Sequence, residues 1–210
     1  RGTVPVRLGL LGAFNVSNAL AAAAAALALG VPLAAVKRGL ERVRRIPGRM
    51  ERIPGTGRAL VVVDYAHTPD ALEQSLKTLR PLTPGRLRLI FGCGGDRDRT
   101  KRAPMGVVAA SLADDVWVTS DNPRGENPRR ILEDVAAGIR RTGRTPRLEP
   151  DRRRAIFRVL GRTQPGDTVL VAGKGHETTQ TIKNRVIAFD DRVVIRASLD
   201  RLRREGTWKA

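Results

Sequence analysis

Four short, largely apolar runs constrain this chain more than anything else in it: Ala59–Val63, Leu87–Phe91, Asp115–Thr119 and Thr168–Ala172. Runs of this length, dominated by Val, Leu and Ile, are expected of strands buried on both faces. Helical segments separate them. Thr68-Pro69 opens one that runs to about Leu79, and a second covers about Ala103–Leu112. A third starts with Asn127 as N-cap and Pro128 at the first helical position and runs to Arg141. Asp151–Leu160 is a fourth. Strands alternating with helices of this size imply an α/β fold, a mainly parallel sheet with helices on both faces.

The flanks are less regular. Val4–Leu10 has strand character but nothing before it to pair with, so residues 1–14 are expected to be the end of a preceding domain and a linker. The apolar, Ala-rich segment 16–29 is short for a membrane span and ends at Gly30 and Pro32. It is expected to be a buried helix, with no membrane insertion. Leu33–Val43 predicts a second helix, Arg49–Ile53 a short strand and Pro146–Leu148 a weak one. Thr181–Ile182 and Val186–Phe189 predict a hairpin around Lys183-Asn184, and Val193–Arg204 a last helix. No basic-then-apolar leader is recognised at the start.

A net charge of +18 raises the possibility of a polyanionic partner. The arginines, however, are scattered through helical segments, as at Arg38, Arg42, Arg140, Arg141 and Arg152–Arg154, with no interleaved aromatics for base stacking. A solvated surface is the better account, and no nucleic-acid partner is expected. Cys93 is the single cysteine, so there is neither an internal disulfide nor a multi-cysteine metal site. A reducing compartment, the cytoplasm, fits. Cys93 itself reads as a small buried thiol.

In a parallel sheet, the carboxyl ends of the strands share one edge, where ligands bind. Four strand ends here carry unusual loops: Asp64-Tyr65-Ala66-His67-Thr68-Pro69, Gly92-Cys93-Gly94-Gly95-Asp96-Arg97-Asp98, Asp121-Asn122-Pro123-Arg124 and Gly173-Lys174-Gly175-His176-Glu177. Neither glycine-rich loop matches the dinucleotide or Walker patterns. His67 and His176 lack a clear third ligand, so no metal site is assigned. Two arginines and two acids on one rim suit a small zwitterion better than a polyanion, because guanidinium forks take carboxylates and carboxylates take ammonium groups.

These loops, together with Phe14-Asn15-Val16-Ser17-Asn18 and Gly48-Arg49-Met50-Glu51, resemble the Mur ligases, in order and spacing from about Val4 to Leu202. The closer resemblance is to members that add 2,6-diaminopimelate. It implies a Rossmann-like C-terminal domain over residues 15–210. It implies part of an enzyme that uses ATP and Mg²⁺ to convert the D-glutamate side-chain carboxylate of UDP-N-acetylmuramoyl-L-alanyl-D-glutamate into an acyl phosphate. The amine of meso-diaminopimelate then attacks. The phosphate loop and Mg²⁺ ligands of the family have no counterpart here, so ATP and Mg²⁺ are expected mainly on a separate central domain, and no catalytic residue is assigned.

By the same resemblance, Arg97 contacts diaminopimelate and Asp121, Asn122, Pro123 and Arg124 form its recognition motif. Arg124 would fork onto the distal carboxylate. Asp121 and Glu177 would hold the distal ammonium, with Asn122 and Gly173 completing the pocket. Lysine lacks that carboxylate, so Arg124 points to diaminopimelate. Asn18, Arg49, Asp64 and His67 match the nucleotide-facing side, where Arg49 would offset phosphate charge and Asp64 would accept from ribose hydroxyls. Asn18 as a helix cross-link and Arg49 as a surface ion pair stay open as alternatives, as do a basic nucleic-acid module and a folylpolyglutamate-type ligase for the whole chain. The last shares an Asp-Tyr-Ala-His-x-Pro loop but predicts no Asp-Asn-Pro-Arg motif.

Overall fold

The structure, a computed structural model, describes residues 3–208. Its centre is a six-stranded sheet of β1 (Glu51–Arg52), β2 (Leu60–Asp64), β3 (Leu87–Phe91), β4 (Asp115–Thr119), β5 (Arg147–Glu149) and β6 (Thr168–Ala172). The spatial order is β1-β2-β6-β3-β4-β5, with every pairing parallel except the β1–β2 edge. The four apolar runs are therefore the four inner strands, and β6 inserts between β2 and β3.

Alternation along these strands sorts side chains onto two faces. Val62, Leu89, Phe91, Val118 and Leu170 point into one core, against α3 (Pro69–Leu79), α4 (Arg102–Leu112) and α5 (Pro128–Arg140). Val61, Val63, Ile90, Trp117, Val169 and Val171 point into the other, against α6 (Arg152–Leu160) and α7 (Asp191–Arg204). The helix starts follow local chemistry. Thr68 accepts from the Ala71 N–H and Asn127 from the Arg129 N–H, each just before a proline that needs no amide partner. A separate antiparallel hairpin, β7 (Thr179–Ile182) and β8 (Arg185–Ala188), turns at Lys183-Asn184.

Three expectations fail. Val4–Leu10 forms no strand, since no described element offers it a ladder. The Ala-rich helix α1 (Phe14–Ala28) is not buried. Asn15 is its one buried residue, and Leu20 stays 66 % exposed. It packs mainly on α2 (Leu33–Arg42), and the sheet offers it no covering face. The third concerns the arginines. Arg152, read as part of a solvated surface, is fully buried and bonds both carboxylate oxygens of Asp191 at 2.7 Å. Arg102, on α4, is also fully buried. A guanidinium goes inside where carboxylates and strand-end carbonyls take its donors, and helical periodicity says nothing of that.

Candidate functional site

The order of the strands places the loops after β2, β6, β3 and β4 side by side on one edge. Between them opens a cleft of about 370 Å³, lined by Tyr65, His67, Gly94, Arg97, Lys101, Asp121, Asn122, Arg124, Gly173 and Glu177. Six of the residues expected to take diaminopimelate thus meet in one place. Pro123 does not. It lines a separate hollow beside β7 and β8, and its carbonyl lies 1.9 Å from where a Cβ on Gly95 would stand. Glycine at 95 is what lets the two loops touch.

The Asp121–Arg124 loop is clamped by β7. Gln180 Nε2 donates to Asp121 O at 2.6 Å, and the Thr181 N–H donates to Asn122 Oδ1 at 2.9 Å. The Arg124 N–H donates to Thr181 O at 3.0 Å, and the Lys183 N–H to Arg124 O at 2.6 Å. Arg124 is held at φ 49°, a left-handed conformation that costs a non-glycine residue about 1–3 kcal/mol. The guanidinium donates through Nη1 to Gly95 O at 2.9 Å. Among the described residues, Nε and Nη2 have no partner and remain available for a carboxylate.

The two acids of the cleft differ in environment. Asp121 is 7 % exposed, and no side-chain or backbone donor among the described residues reaches its carboxylate. Burial pushes its pKa up, and Arg152 and Lys174 offset this only in part. Gly173, at φ 108°, leaves room for it, since a Cβ there would stand 2.6 Å from Asp121 Oδ2. Burial acts to raise Glu177 too, but Lys174 and Asn122 outweigh it and hold the carboxyl below its usual range. Asn122 Nδ2 and Lys174 Nζ both donate to Glu177 Oε2 at 2.8 Å. An unpaired carboxylate, a half-paired one and an open guanidinium in one cleft can hold an amino acid head group at both charges.

Two buried arginines support this rim from below. Arg102 donates to Gly94 O at 3.1 Å, to both oxygens of Glu126 and to Asp134. Its hydrogen bond brings the Glu126 carboxyl down to about 2. Glu126 Oε1 also accepts from the Asp96 N–H, and the Gly125 N–H donates to Asp96 Oδ2, which ties the β3 and β4 loops together. Arg152, besides pairing with Asp191, donates to Ala172 O at the end of β6. Sequence reasoning missed Arg102, Arg152, Lys174 and Tyr65. Lys174 alone carried a usable signal, three residues before an acid in a glycine-flanked turn.

The nucleotide-facing set is more dispersed. His67 lines the cleft, its Nδ1 2.9 Å from Tyr65 O. Arg49 is exposed and packs over the Tyr65 ring, 4.6 Å from its centroid. Asp64 is largely satisfied inside the protein. Oδ1 accepts from the Ala66 N–H and Ser75 Oγ, and Oδ2 from the Met50 N–H, leaving one oxygen with spare capacity. Asn18, on α1, bonds Asn15 Oδ1 at 3.2 Å and does not reach the cleft. Cys93 is buried in the core, and burial pushes its thiol up to about 12.

A doubly covered parallel sheet with a mixed-charge cleft at its carboxyl edge matches a known class. The family described as Mur ligase, glutamate ligase domain, matches residues 48–175, and the chain belongs to that family. It is 50 % identical to the UDP-N-acetylmuramoyl-L-alanyl-D-glutamate–2,6-diaminopimelate ligase of Gloeobacter violaceus, over 98 % of this chain and 44 % of that protein. It is 52 % identical to the ligase of the same name from Thermosynechococcus vestitus, over 90 % of this chain and 38 % of the relative. A solved structure of a ligase with this name superposes with a TM-score of 0.73 at 45 % identity, covering 96 % of this chain and 41 % of that one. The UDP-N-acetylmuramate–alanine ligase of Thermotoga maritima shares the fold, with a TM-score of 0.70 at 22 % identity. The chain spans about two-fifths of the length of the relatives it matches.

Proposed function

We propose that this chain is the amino-acid-binding part of an ATP-dependent ligase that joins meso-diaminopimelate to UDP-N-acetylmuramoyl-L-alanyl-D-glutamate, a step of cell-wall peptidoglycan synthesis. One observation carries the reading. Arg124, its backbone in a strained left-handed conformation, brings its guanidinium into one cleft with Asp121 and Glu177. That arrangement suits the distal amino acid head group of diaminopimelate, with Arg124 on its carboxylate and the two acids on its ammonium. Arg97 adds positive charge to the same cleft, while Asn122 and Gly173 shape its floor. Pro123 serves as the spacer between Asn122 and Arg124. The names of the relatives support the substrate, and the shared length supports a part rather than the whole of the enzyme.

ATP fits this chain as a neighbour of one wall. Arg49 and His67, both packed against Tyr65, would face its phosphates, and Asp64 would fix the turn that carries them, with Asn18 at the margin. When bound, ATP supplies the phosphoryl group that activates the glutamate carboxylate. The residues described do not fit Mg²⁺ by themselves, as no group of three His, Cys, Asp or Glu able to hold a metal occurs among them. No described helix is long and apolar enough to cross a membrane. The reading carries a cytoplasmic location with it.

The test is Arg124→Ala in the full-length ligase. Loss of a desolvated, bidentate charge contact costs about 2–5 kcal/mol, so the KM for diaminopimelate rises sharply while that for ATP holds. An unchanged KM and rate would remove the assignment. Tight DNA binding at moderate salt that survives this substitution would favour the basic-module reading instead.

A further inference from the structure

Lys174 sits between two glycines just after β6, and its side chain turns inward. Its side chain is fully buried, and Nζ lies 2.8 Å from Glu177 Oε2 and 3.3 Å from Asn122 Oδ1. The local turn makes this possible. The Glu177 N–H donates to Lys174 O at 2.9 Å, which brings the two side chains to the same side. Gly173 and Gly175 supply the positive φ values, 108° and 53°, that the turn needs.

We propose that Lys174 is the positioning residue of the ammonium subsite, acting through Glu177. This rests on the reading of the cleft as a diaminopimelate site. Glu177 Oε2 is occupied twice, by Lys174 and by Asn122 Nδ2. Glu177 Oε1 has no hydrogen-bond donor among the described residues and is the oxygen left for a ligand. Asn122 is fixed in the same network. Its Oδ1 accepts from Lys174 and from the Thr181 N–H, so Nδ2 must face the carboxylate. Lys174 therefore locks the motif loop after β4 to the loop after β6. It also offsets one of two neighbouring acid charges, so that Asp121 and Glu177 together present the charge that one ammonium matches. Without it, two carboxylates would share a partly buried site, which favours uptake of a proton by one of them.

The experiment is a double-substitution cycle in the full-length ligase, with Lys174→Met, Glu177→Gln and the pair, each read by KM for diaminopimelate, KM for ATP, kcat and Tm. Glu177→Gln is expected to raise the diaminopimelate KM about tenfold or more, the scale of a lost charged hydrogen bond. Lys174→Met is expected to do the same with the ATP KM unmoved. The pair is expected to be no worse than Glu177→Gln alone, because both changes remove one function. Multiplying effects in the pair would overturn the proposal, since a general packing defect adds in either background. If Lys174→Met does not fold, the pair, which carries no unpaired charge at these two positions, is compared with Glu177→Gln. Equal KM values support the proposal and a further rise overturns it. A normal diaminopimelate KM in Glu177→Gln would bring down the reading of the acid pair itself, whereas a raised one beside a normal Lys174→Met removes the Lys174 role alone.

Discussion

Asp121 is where function and stability pull apart. Its carboxylate is buried and receives no hydrogen bond among the described residues, and burial raises its pKa. The unfolded carboxyl has the lower value, so between the two the folded chain keeps a proton that the unfolded chain has released. Stability therefore falls as pH rises through that window, and the ionised form costs stability at neutral pH. Asp121→Asn is expected to raise Tm at pH 7–8 by about 2–4 °C, the scale of ~1 kcal/mol in a chain this size, with the gain vanishing in acid. The same change is expected to weaken diaminopimelate binding. In the wild type, binding should weaken as pH falls toward the raised pKa, at a higher pH than an ordinary aspartate would dictate. Scanning calorimetry of residues 1–210 across pH checks the stability, titration calorimetry of the full-length ligase checks the binding, and a lower Tm for Asp121→Asn at neutral pH would contradict the argument.

The loops owe their placement to contacts between elements that are far apart in sequence. β7 holds Asp121, Asn122 and Arg124 through Gln180 and Thr181. Arg102 holds the β3 loop to the acids of the β4 loop and of α5, and Arg152 joins the end of β6 to the start of α7. The Arg152–Asp191 pair is fully buried on both sides. Arg152→Met leaves Asp191 charged and unpaired, with an expected loss of about 3–5 kcal/mol in denaturant unfolding. A second change of Asp191 to Leu should return much of that loss. If Arg152→Met were neutral, the pair would be dispensable for the rim. The apolar runs, helix starts and hairpin position were legible in sequence because they follow from local periodicity and turn chemistry. The roles of Arg102 and Arg152 were not, because an arginine in a helical pattern looks the same whether its partner is water or a buried carboxylate.

The exposed apolar face of α1 sets this chain apart from a self-sufficient fold. Val16, Leu20 and Leu27 are exposed, and relatives more than twice as long carry the same region. The family match begins at residue 48, whereas the sequence alone suggested a division at 14/15. The two divisions differ in outcome. Because α1 and α2 pack mainly on each other, removal of residues 1–47 is expected to leave the sheet and its helices cooperatively folded, with a sharp thermal transition. Loss of that transition would tie α1 and α2 to the sheet. Residues 1–210 alone are expected to show no ATP turnover, and measurable hydrolysis would mean that catalytic groups have been misplaced.

What the sequence determined by itself was the set of parts: four buried strands, the helices between them, four polar loops at one edge, and in Arg124 and its acids the charges a zwitterion requires. These are local properties, encoded within a few residues of where they act. Tertiary structure decided which loops touch. The insertion of β6 between β2 and β3 brings Glu177 and Lys174 beside Asn122, 52 positions and more away in the chain. It also turned Pro123 out of the cleft, used most of Asp64's hydrogen-bonding capacity internally and sent Lys174 inward to hold Glu177. Pairing of strands and burial of charge depend on partners distant in sequence, and no local pattern records them.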